Sequence, residues 1–415
     1  MKIWIMNHYA GHMRTDKGGR HYWFSKYLNL SGHSPVVFCA IGKNVQKELW
    51  TVQNAEEINA PFVNVSVSGT RNGGLSKILN MASFYFRVKK TAKQYAKANG
   101  KPDVILASSV HPLTLVAGLK IAKHFKVKCI CEVRDLWPEA ILSYSKKIKK
   151  NSLIAKMMYA GEKWIYKKAD ALIFTQEGCP DYIREHKWDK EQGGPIDLNK
   201  AYYINNGVDL DAFDQNVKDF RFDDPDMDDP DTIKVVYAGA IRHVNNLGLI
   251  VDAAKLIKNP KVRFVIFGSG DQLEPLKKRL VDENITNVVF KGRINKQYIP
   301  SVVTRADINL AHWRMNPLLR VGESCNKTFD YLAAGKPIFY TVRPGYSIVE
   351  KHNCGVLTEG FTAQDVANGI EKILSMSEEE IKRMNENARE AAKVYDFKVL
   401  TQTLLDIIDK VNSEN

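Results

Sequence analysis

The feature that most constrains the fold is a recurring pattern of short apolar runs, each bounded by polar or turn-forming residues and followed by a longer helical interval. Strands of a parallel sheet look like this because both faces are covered. The runs form two series: residues 3–6, 35–40, 104–107, 127–133 and 171–174, then residues 235–237, 263–267, 288–290, 308–310 and 337–340. Two series of strands alternating with helices predict two doubly wound α/β units.

The length of 415 residues also exceeds what one hydrophobic core usually supports. Asp and Pro dominate residues 220–231, which predicts a surface connection, so we place a linker at 206–230 between domains at 1–205 and 231–395. Its acidic clusters are interpreted as solvated rather than metal-binding. Residues 396–415 are predicted to form a last helix that packs back on the first domain. A capping box at Ser377 and Glu380 predicts a helix reaching Val394.

Several classes of protein are excluded. No apolar run of about 18 residues occurs, and the first nine residues lack the apolar stretch of a signal peptide, which predicts a cytoplasmic protein. None of the six cysteines forms a CxxC pair, so neither a disulfide framework nor a zinc site is indicated. We expect reduced, mostly buried thiols and no metal.

Charge is distributed unevenly. Residues 1–205 carry 32 Lys and Arg against 16 Asp and Glu, whereas the remainder carries 28 against 31. So basic a half predicts an anionic partner, namely nucleic acid, an anionic membrane surface or a phosphorylated acceptor. The alternative is a merely solvated face.

In doubly wound sheets, ligands bind beyond the carboxyl ends of the strands. Gly18 and Gly19 follow the first strand and precede a helix, where paired glycines let backbone approach a phosphate, although an ordinary turn explains them too. The absence of GxGxxG here argues against a nicotinamide-dependent dehydrogenase. Arg134 and Asp135 follow a later strand and predict a ligand site, with a structural ion pair as the alternative.

In the second series, Gly239 and Arg242 follow the first strand, where Arg242 can reach anionic oxygens or simply lie on the surface. Residues 267–271 form a glycine-rich turn of low specificity. The most informative stretch is 323–337. Small polar residues open a predicted short helix there, Lys327 lies in its first turn, Asp330 follows three residues later on roughly the same face, and Gly335 ends it. This arrangement suits a diphosphate at the helix N-terminus and sugar hydroxyls one turn on, against the alternative of a capped surface helix.

Taken in order, several segments of the second half resemble the retaining glycosyltransferases of family 4, which have the GT-B fold of two Rossmann-like domains facing across a cleft. The matching segments are residues 237–239 with Arg242, then 267–270, 290–294, 306–308, 327–337 and 345–360. The first half matches more loosely, at residues 18–19, 31–33, 134–138 and 205–209. Enzymes of bacterial polysaccharide and lipopolysaccharide biosynthesis are similar.

Two departures from the family pattern matter. The family's donor motif has two Glu separated by seven residues, and aligning the second with Asp330 places the first at Gly322, one position before Glu323. Where many members carry a Lys after the Arg of the first C-domain loop, this chain has Asn245 and Asn246. Lys327 is expected to supply the missing cation.

The resemblance implies transfer of a sugar from a nucleoside diphosphate, most simply a UDP-sugar, to an acceptor hydroxyl with retention. Arg242, Lys327 and the backbone of Gly18, Gly19 and Gly239 would stabilise the departing diphosphate. The remaining implied contacts are Asp330 with the ribose, Arg293 and Ile294 beside the base, Asn326 at the donor, and Asp135 toward the sugar or acceptor across the cleft. No metal or other cofactor is implied. The alternatives are a nucleotide-sugar epimerase of the same fold and a non-enzymatic protein that binds nucleic acid or an anionic surface; we expect no nucleic acid partner.

A basic amphipathic helix is predicted over residues 75–98. Its apolar side is predicted to comprise Leu75, Ile78, Leu79, Ala82, Tyr85 and Phe86, widened by Phe84 and Val88. Its second half is basic through Arg87, Lys89, Lys90, Lys93 and Lys97. A similar combination recurs at Lys146, Lys147, Lys149 and Lys150, followed by Met157, Met158, Tyr159 and Trp164. These stretches predict peripheral binding to the inner face of a membrane beside a lipid-linked or glycan acceptor, with a core helix bearing a solvated basic flank as the alternative.

Overall fold

The computed structural model describes residues 1–41, 48–70, 73–144 and 148–414. The chain forms two compact units, the first comprising Met1–Asn205 with Phe397–Asn415 and the second Asn206–Asp396. Each is built around a sheet whose strands are almost all parallel, and every one of the ten predicted apolar runs forms a strand in one of them. The predicted α/β fold class is confirmed.

The first unit contains an eight-stranded sheet. Its strands are β1 (Lys2–Met6), β2 (Ser34–Ile41), β3 (Trp50–Ala55), β4 (Ala60–Ser66), β5 (Val104–Ser108), β6 (Lys128–Val133), β7 (Ala171–Phe174) and β8 (Ala201–Tyr203). Its helices up to the crossing into the second unit are α1 (Gly11–Thr15), α2 (Arg20–Leu30), α3 (Gly74–Asn99), α4 (Pro112–Phe125), α5 (Trp137–Tyr144), α6 (Leu153–Lys168) and α7 (Cys179–Glu185). The strand order is β3-β4-β2-β1-β5-β6-β7-β8, and only the β3–β4 pair of this sheet is antiparallel.

The second unit contains a six-stranded parallel sheet in the order β11-β10-β9-β12-β13-β14. Its strands are β9 (Ile233–Ala238), β10 (Val262–Phe267), β11 (Val288–Gly292), β12 (Ile308–Ala311), β13 (Ile338–Tyr340) and β14 (Gly355–Leu357). Its helices are α8 (Leu210–Asp219), α9 (Pro225–Asp228), α10 (Gly248–Ala254), α11 (Leu273–Asp282), α12 (Ile299–Thr304), α13 (Asn326–Ala334), α14 (Ile348–Lys351), α15 (Ala363–Leu374) and α16 (Glu378–Val394).

The stretch predicted to be a solvated linker is more structured than expected. It contains α8 and α9, which bury Phe213 and Met227 in the core of the second unit. The carboxylate of Asp224 accepts hydrogen bonds from the first N–H groups of α9, and Asp226 pairs with Lys291 at 2.5 Å. Acidic residues here therefore cap a helix and hold it against the second sheet.

The C-terminal helices follow the sequence closely. The capping box at Ser377 and Glu380 is present, and α16 ends at Val394 as predicted. The last helix, α17 (Phe397–Ser413), packs against α2 of the first unit through buried side chains such as Leu404 and Ile408.

Strand order reverses between β1 and β5 in the first sheet and between β9 and β12 in the second, so these are the topological switch points. β12 pairs with β9 through Ile308–Val235 and Asn309–Val236. Beyond those pairs the hydroxyl of Tyr331 lies between the strands, accepting a hydrogen bond from the Ala238 amide (3.0 Å) and donating one to the Leu310 carbonyl (3.2 Å). Open crevices at such reversals are where this architecture places ligands.

Candidate functional site

Helix α13 is fixed against the switch point of the second sheet, and its N-cap residue makes no side-chain capping hydrogen bond. Tyr331, on this helix, bridges β9 and β12 as described above. Cys325 is the N-cap residue and makes no side-chain hydrogen bond to the first turn, while Gly335 ends the helix with φ 60°. The first N–H groups of an α-helix have no intrahelical partner and attract anions. As predicted, Lys327 lies in the first turn of this helix and Gly335 ends it.

Lys327 lies in the first turn of α13 and reaches the end of β9. Its Nζ is 3.9 Å from the centroid of the Tyr237 ring. A Cβ atom at Gly239 would lie 2.6 Å from the same nitrogen, so the glycine leaves the space that the ammonium occupies. Among the described residues Lys327 forms no ion pair, and its charge is therefore available to an anionic ligand.

Arg242 is exposed in the loop after β9. This loop is packed tightly against the glycine-rich turn after β10: the Ile241 amide donates to the Ser269 carbonyl at 2.9 Å. A Cβ at Gly268 would meet the Gly239 carbonyl oxygen at 1.7 Å, and one at Gly270 would meet the Ile241 oxygen at 2.2 Å. The glycine-rich turn thus serves close packing of two loops, which holds the backbone that carries Arg242.

His312 follows β12 and is buried, and no local pattern predicted a role for it. Its Nε2 lies 3.0 Å from the Asn246 carbonyl oxygen and its Nδ1 lies 2.6 Å from the Thr341 hydroxyl. Since a carbonyl oxygen only accepts, Nε2 carries the proton and Nδ1 accepts from Thr341. Burial lowers the pKa of His312 to about 4, so the ring is neutral at physiological pH. His312 anchors the far end of the loop that begins with Arg242.

Glu323, whose role the sequence left open, is buried. The hydroxyl of Tyr340 donates to its Oε1, and the Thr328 hydroxyl lies 3.2 Å from its Oε2. Burial raises the pKa of Glu323 to about 7, against the effect of these hydrogen bonds. The Asn206 side chain meanwhile donates to the carbonyl and hydroxyl oxygens of Ser324, each at 3.0 Å. The segment that leads into α13 is therefore held on both sides.

The other predicted donor residues lie on α13 and after β11. Asn326 is the first residue of the helix and is exposed, and Asp330 is half-buried one turn further along. Burial raises the pKa of Asp330 to about 7, opposed by the charge of Lys296. Arg293 is exposed, whereas Ile294 packs against the core of the second unit. Within the described residues, Lys327 lies against Gly239. No described side-chain contact links it to the four residues of this paragraph, namely Asn326, Asp330, Arg293 and Ile294.

In the first unit, Gly19 is the N-cap of α2 with φ 99°, a conformation that favours glycine. The next residue, Arg20, is buried, with its Nε donating to Glu132 at 2.8 Å. Its other nitrogens donate to the carbonyl oxygens of Ile204, at 2.9 Å, and Asn205. The guanidinium therefore fixes the entrance to α2 and does not project from it.

Glu132, on β6, is the centre of a buried network that sequence reasoning missed. Its Oε2 accepts from the Ser108 hydroxyl at 2.6 Å, and that hydroxyl accepts from the Asn7 amide at 3.1 Å. Burial opposes ionisation, but the charge of Arg20 and the hydrogen bond from His21 hold the pKa of Glu132 well below its usual range. This network joins β1, β5 and β6 at the first switch point.

A pair of buried histidines lies beside this network. His8 Nδ1 and His111 Nε2 are 2.6 Å apart, and the His8 ring stacks on Phe84 with centroids separated by 4.3 Å. Burial lowers the pKa of His111 to about 4, so its ring is neutral at physiological pH.

Asp135 is exposed just beyond β6. In the described part of the chain it forms no ion pair with Arg134, so the structural ion pair that was the alternative explanation is not seen. The Arg134 backbone is instead held by Ser109 and Thr175, through hydrogen bonds of 2.9 and 3.1 Å.

Two absences concern residues 1–41, 48–70, 73–144 and 148–414, the described part of the chain. No helix there is both long and apolar enough to cross a membrane. No group of three or more His, Cys, Asp or Glu side chains there is placed to bind a metal ion.

Comparison with known proteins gives a consistent result. The model of Glycosyltransferase Family 4 matches residues 22–212, and that of Glycosyl transferases group 1 matches residues 221–391. TuaH of Bacillus subtilis (strain 168), assigned as a teichuronic acid biosynthesis glycosyltransferase, is 24% identical over 66% of this chain, and the match spans 65% of TuaH itself. WbjE of Pseudomonas aeruginosa, assigned as a glycosyltransferase, is 21% identical over 84% of this chain and 82% of its own length.

Among solved structures, Anabaena HepE in complex with UDP superposes with a TM-score of 0.68 at 15% identity, covering 99% of this chain and 100% of HepE. That similarity concerns the fold alone. The two family models together account for nearly all of both units. This chain has the GT-B fold and belongs to the family 4 glycosyltransferases.

Proposed function

We propose that this protein transfers a sugar, with retention at the anomeric carbon, from a UDP-sugar to an acceptor hydroxyl. The observation that carries the proposal is the position of Lys327, whose ammonium lies beside Gly239 at the second switch point and next to the N-terminus of α13. A fixed cation beside the N-terminus of a helix suits a diphosphate. HepE, which shares the fold, was solved with UDP.

In the proposed reaction the bond between the anomeric carbon and the diphosphate oxygen breaks, and negative charge accumulates on that oxygen. Lys327, Arg242 and the first N–H groups of α13 stabilise this charge in the transition state. Asp330 accepts hydrogen bonds from the ribose, and the segment at Arg293 and Ile294 contacts the base. The acceptor oxygen bonds to the anomeric carbon, and the released phosphate oxygen accepts the proton of the acceptor hydroxyl. The two cationic side chains fill the charge-stabilising role that a metal ion would otherwise have.

The remaining roles predicted from the sequence stay part of the proposal. Asn326 lies at the donor through the first turn of α13, the Gly18–Gly19 backbone binds phosphate, and Asp135 serves the sugar or acceptor. TuaH is assigned to teichuronic acid biosynthesis. We therefore propose a role in assembling a bacterial surface polysaccharide, with a glycan or lipid-linked acceptor.

A donor screen tests this function. UDP-, GDP- and dTDP-sugars are each added to the full chain, and the thermal midpoint is measured. A ligand present at 100 times its Kd stabilises the native state by about 2.7 kcal/mol, so a UDP-sugar should raise the midpoint most. The absence of any shift with all three donors would overturn the proposal.

Product analysis separates the rival activity. A transferase with no acceptor present releases little product from the bound donor, and an added acceptor glycan gains one sugar. Rapid formation of a free sugar or of an isomer, with no dependence on acceptor, would instead identify a nucleotide-sugar epimerase of the same fold.

A further inference from the structure

Helix α3 has apolar residues on two opposite sides. Its buried side consists of Met81, Phe84, Val88, Ala92 and Tyr95. The opposite side, at 3.6 residues per turn, carries Leu75, Ile78, Leu79 and Phe86, whose exposed fractions are 85%, 57%, 54% and 65%. The sequence predicted a single widened apolar face, and the structure corrects this. The stripe from Leu75 to Phe86 is not the core side of the helix.

The outward side of α3 becomes basic in its second half. The same helical spacing that aligns the exposed apolar residues continues through Lys89, Lys90, Lys93 and Lys97. Aromatic and basic groups meet at the junction, where Lys89 Nζ lies 3.9 Å from the Tyr85 ring centroid and Lys120 of α4 donates to the Tyr85 hydroxyl at 2.8 Å. The stripe is thus apolar first and cationic afterwards.

Helix α6 repeats this order. It buries Ala155 and Ile165, while Leu153, Ile154, Met157 and Trp164 are exposed by 74%, 57%, 66% and 40%. Lys167 and Lys168 follow in its last turn. Four lysines just before this helix were predicted to take part in membrane binding. Two of them, Lys146 and Lys147, lie outside the described residues. Lys149 is exposed, and Lys150 is 3.4 Å from Glu139.

Helices α3, α4 and α6 form one layer, since α3 packs against α4 and α4 packs against α6. Helices α3 and α4 follow β4 and β5, and α6 leads into β7, so all three run opposite to the parallel strands. Apart from Trp164, the exposed apolar residues lie in the first halves of α3 and α6 and form the apolar edge of the layer, whereas most of the lysines lie in the second halves. We call this surface the α3–α6 face.

We propose that the α3–α6 face docks on an anionic lipid bilayer, with its apolar edge entering the boundary between headgroups and acyl chains and its lysines contacting lipid phosphates. Single exposed hydrophobic residues are ordinary, but eight on two helices of one layer beside many cations are not. Apolar insertion combined with cationic attraction is how a protein lies on a membrane without crossing it.

A shallow depression between α3 and α4 strengthens the choice of a phosphate-bearing surface. Its volume is about 700 Å³, and apart from Ile121 it is lined by Lys89, Lys90, Lys93, Lys120, Lys123 and His124. So many cations repel one another unless an anion neutralises them. A second copy of this chain would bring the same positive charge to the surface, which disfavours self-association there.

The test measures co-sedimentation of the full chain with vesicles. One set contains phosphatidylcholine alone, and the other contains equal parts of phosphatidylcholine and phosphatidylglycerol. Two variants alter the face: Phe86→Ser with Leu153→Ser, and Lys90→Glu with Lys93→Glu and Lys123→Glu. Matched controls change exposed residues of the second unit: Val281→Ser with Phe361→Ser, and Lys258→Glu with Lys261→Glu and Lys382→Glu.

The wild-type chain should sediment with the anionic vesicles at low salt and be released at high salt. Each face variant should bind the anionic vesicles about 10²-fold more weakly, because each cation or buried apolar side chain contributes roughly fivefold or more. Both controls should bind as the wild type does. Equal binding to the two vesicle types, or face variants that bind like their controls, would overturn the proposal. So would a wild-type dimer that only the Phe86→Ser, Leu153→Ser variant dissociates.

This inference does not depend on the proposed donor. Loss of vesicle binding in the face variants should leave the UDP-sugar shift in thermal midpoint unchanged, so the two proposals fail separately.

Discussion

Arg20, near the first switch point, and Arg242, at the second, show two uses of the same side chain. The guanidinium of Arg20 is buried and satisfied by Glu132 and by the carbonyl oxygens of Ile204 and Asn205. Arg242 is exposed on a loop whose backbone is fixed, and within the described residues it forms no ion pair. The guanidinium of Arg20 holds the backbone of its own unit, whereas that of Arg242 is left exposed.

This difference follows from the neighbouring residues. Glu132 and Ser108 come from inside two central strands and fill the first crevice with polar groups that satisfy one another. Near the second crevice, Gly239 provides space and Tyr331 closes only the gap between the strands. A cationic side chain whose alkyl part is held in place and whose charged group forms no ion pair is a preorganised site for an anion.

The largest effect should come from breaking the first network. Glu132→Ala leaves the buried Arg20 charge without its partner and should lower the free energy of unfolding by about 3–5 kcal/mol. Glu350→Ala removes an exposed partner of Arg343 and should cost about 1 kcal/mol or less. Urea denaturation measures both. Equal losses in the two variants would show that the first network is not the stabilising element.

The pH dependence of that loss has a definite sign. The pKa of Glu132 is depressed in the folded state, so its stabilisation is present above the unfolded pKa and disappears only as pH falls through the folded value. The difference between wild type and Glu132→Ala should therefore be about the same at pH 6 and pH 8.

At the second switch point, Lys327→Ala and Arg242→Ala should each lower turnover by about 10²-fold or more with the fold intact. Removing one group that stabilises transition-state charge typically costs about 2.7–4 kcal/mol. Lys382→Ala, on α16 and exposed, serves as the control for a lost surface charge. Steady-state rates with a UDP-sugar measure the effect, and near-normal rates in both site variants would refute the donor-site assignment.

Glu323 offers a smaller, pH-dependent test within the second unit. Because burial raises its pKa to about 7, the folded protein binds this proton more tightly than the unfolded chain, and stability is lost as pH rises from about 4.5 through 7. Glu323→Gln removes this titration and should gain about 2 kcal/mol relative to wild type between pH 5 and pH 8. A difference that stays constant over this range would mean that the carboxyl is ionised throughout.

Replacing His312 should have a modest effect on donor binding, through the loop after β9 that carries Arg242. His312→Ala removes the donor to the Asn246 carbonyl and should raise the KM for the donor about threefold to tenfold, as expected for one hydrogen bond of about 0.5–1.5 kcal/mol. Thr341→Val tests the other side of the ring. Because the ring is neutral above about pH 4, the pH–rate profile between pH 6 and 8 should not shift. A change in kcat alone would instead assign His312 to the chemical step.

The smallest expected effect is that of removing divalent metal. Activity in excess EDTA should equal activity in untreated buffer, because cationic side chains and helix N–H groups fill the role of a metal at the diphosphate. Complete loss that Mn²⁺ or Mg²⁺ restores would show that the phosphate chemistry lies elsewhere.

The fold was predictable where burial imposes a pattern. The central strands are continuous apolar runs, but β3 carries exposed polar side chains, β8 is only half-buried, and β14 has just two apolar residues after a glycine. None of these three strands has a strong local signal. The antiparallel partner of β3, β4, was also missed, although its residues are mostly buried. The helical linker was missed because Met227 becomes buried through contacts with residues distant in sequence.

The candidate site likewise contains some residues that local sequence predicts and others that only distant contacts define. Lys327, Asp330 and Gly335 could be placed on one helix because their spacing is local. Glu132 sits inside an apolar strand, and its partner Arg20 is 112 positions away, so no window of sequence contains both. His312 is likewise defined by a contact 66 positions away. Pairings between distant residues required the folded structure.

The central claim is that Lys327 and Arg242 bind the diphosphate of a nucleotide sugar. Isothermal titration of UDP into the wild-type chain, Lys327→Ala, Arg242→Ala and Lys382→Ala tests it without an acceptor. We predict that UDP binds to the wild type and to Lys382→Ala with the same Kd, and at least tenfold more weakly to each of the two site variants. Equal affinity in all four proteins, or no binding of UDP to the wild type, would contradict the account.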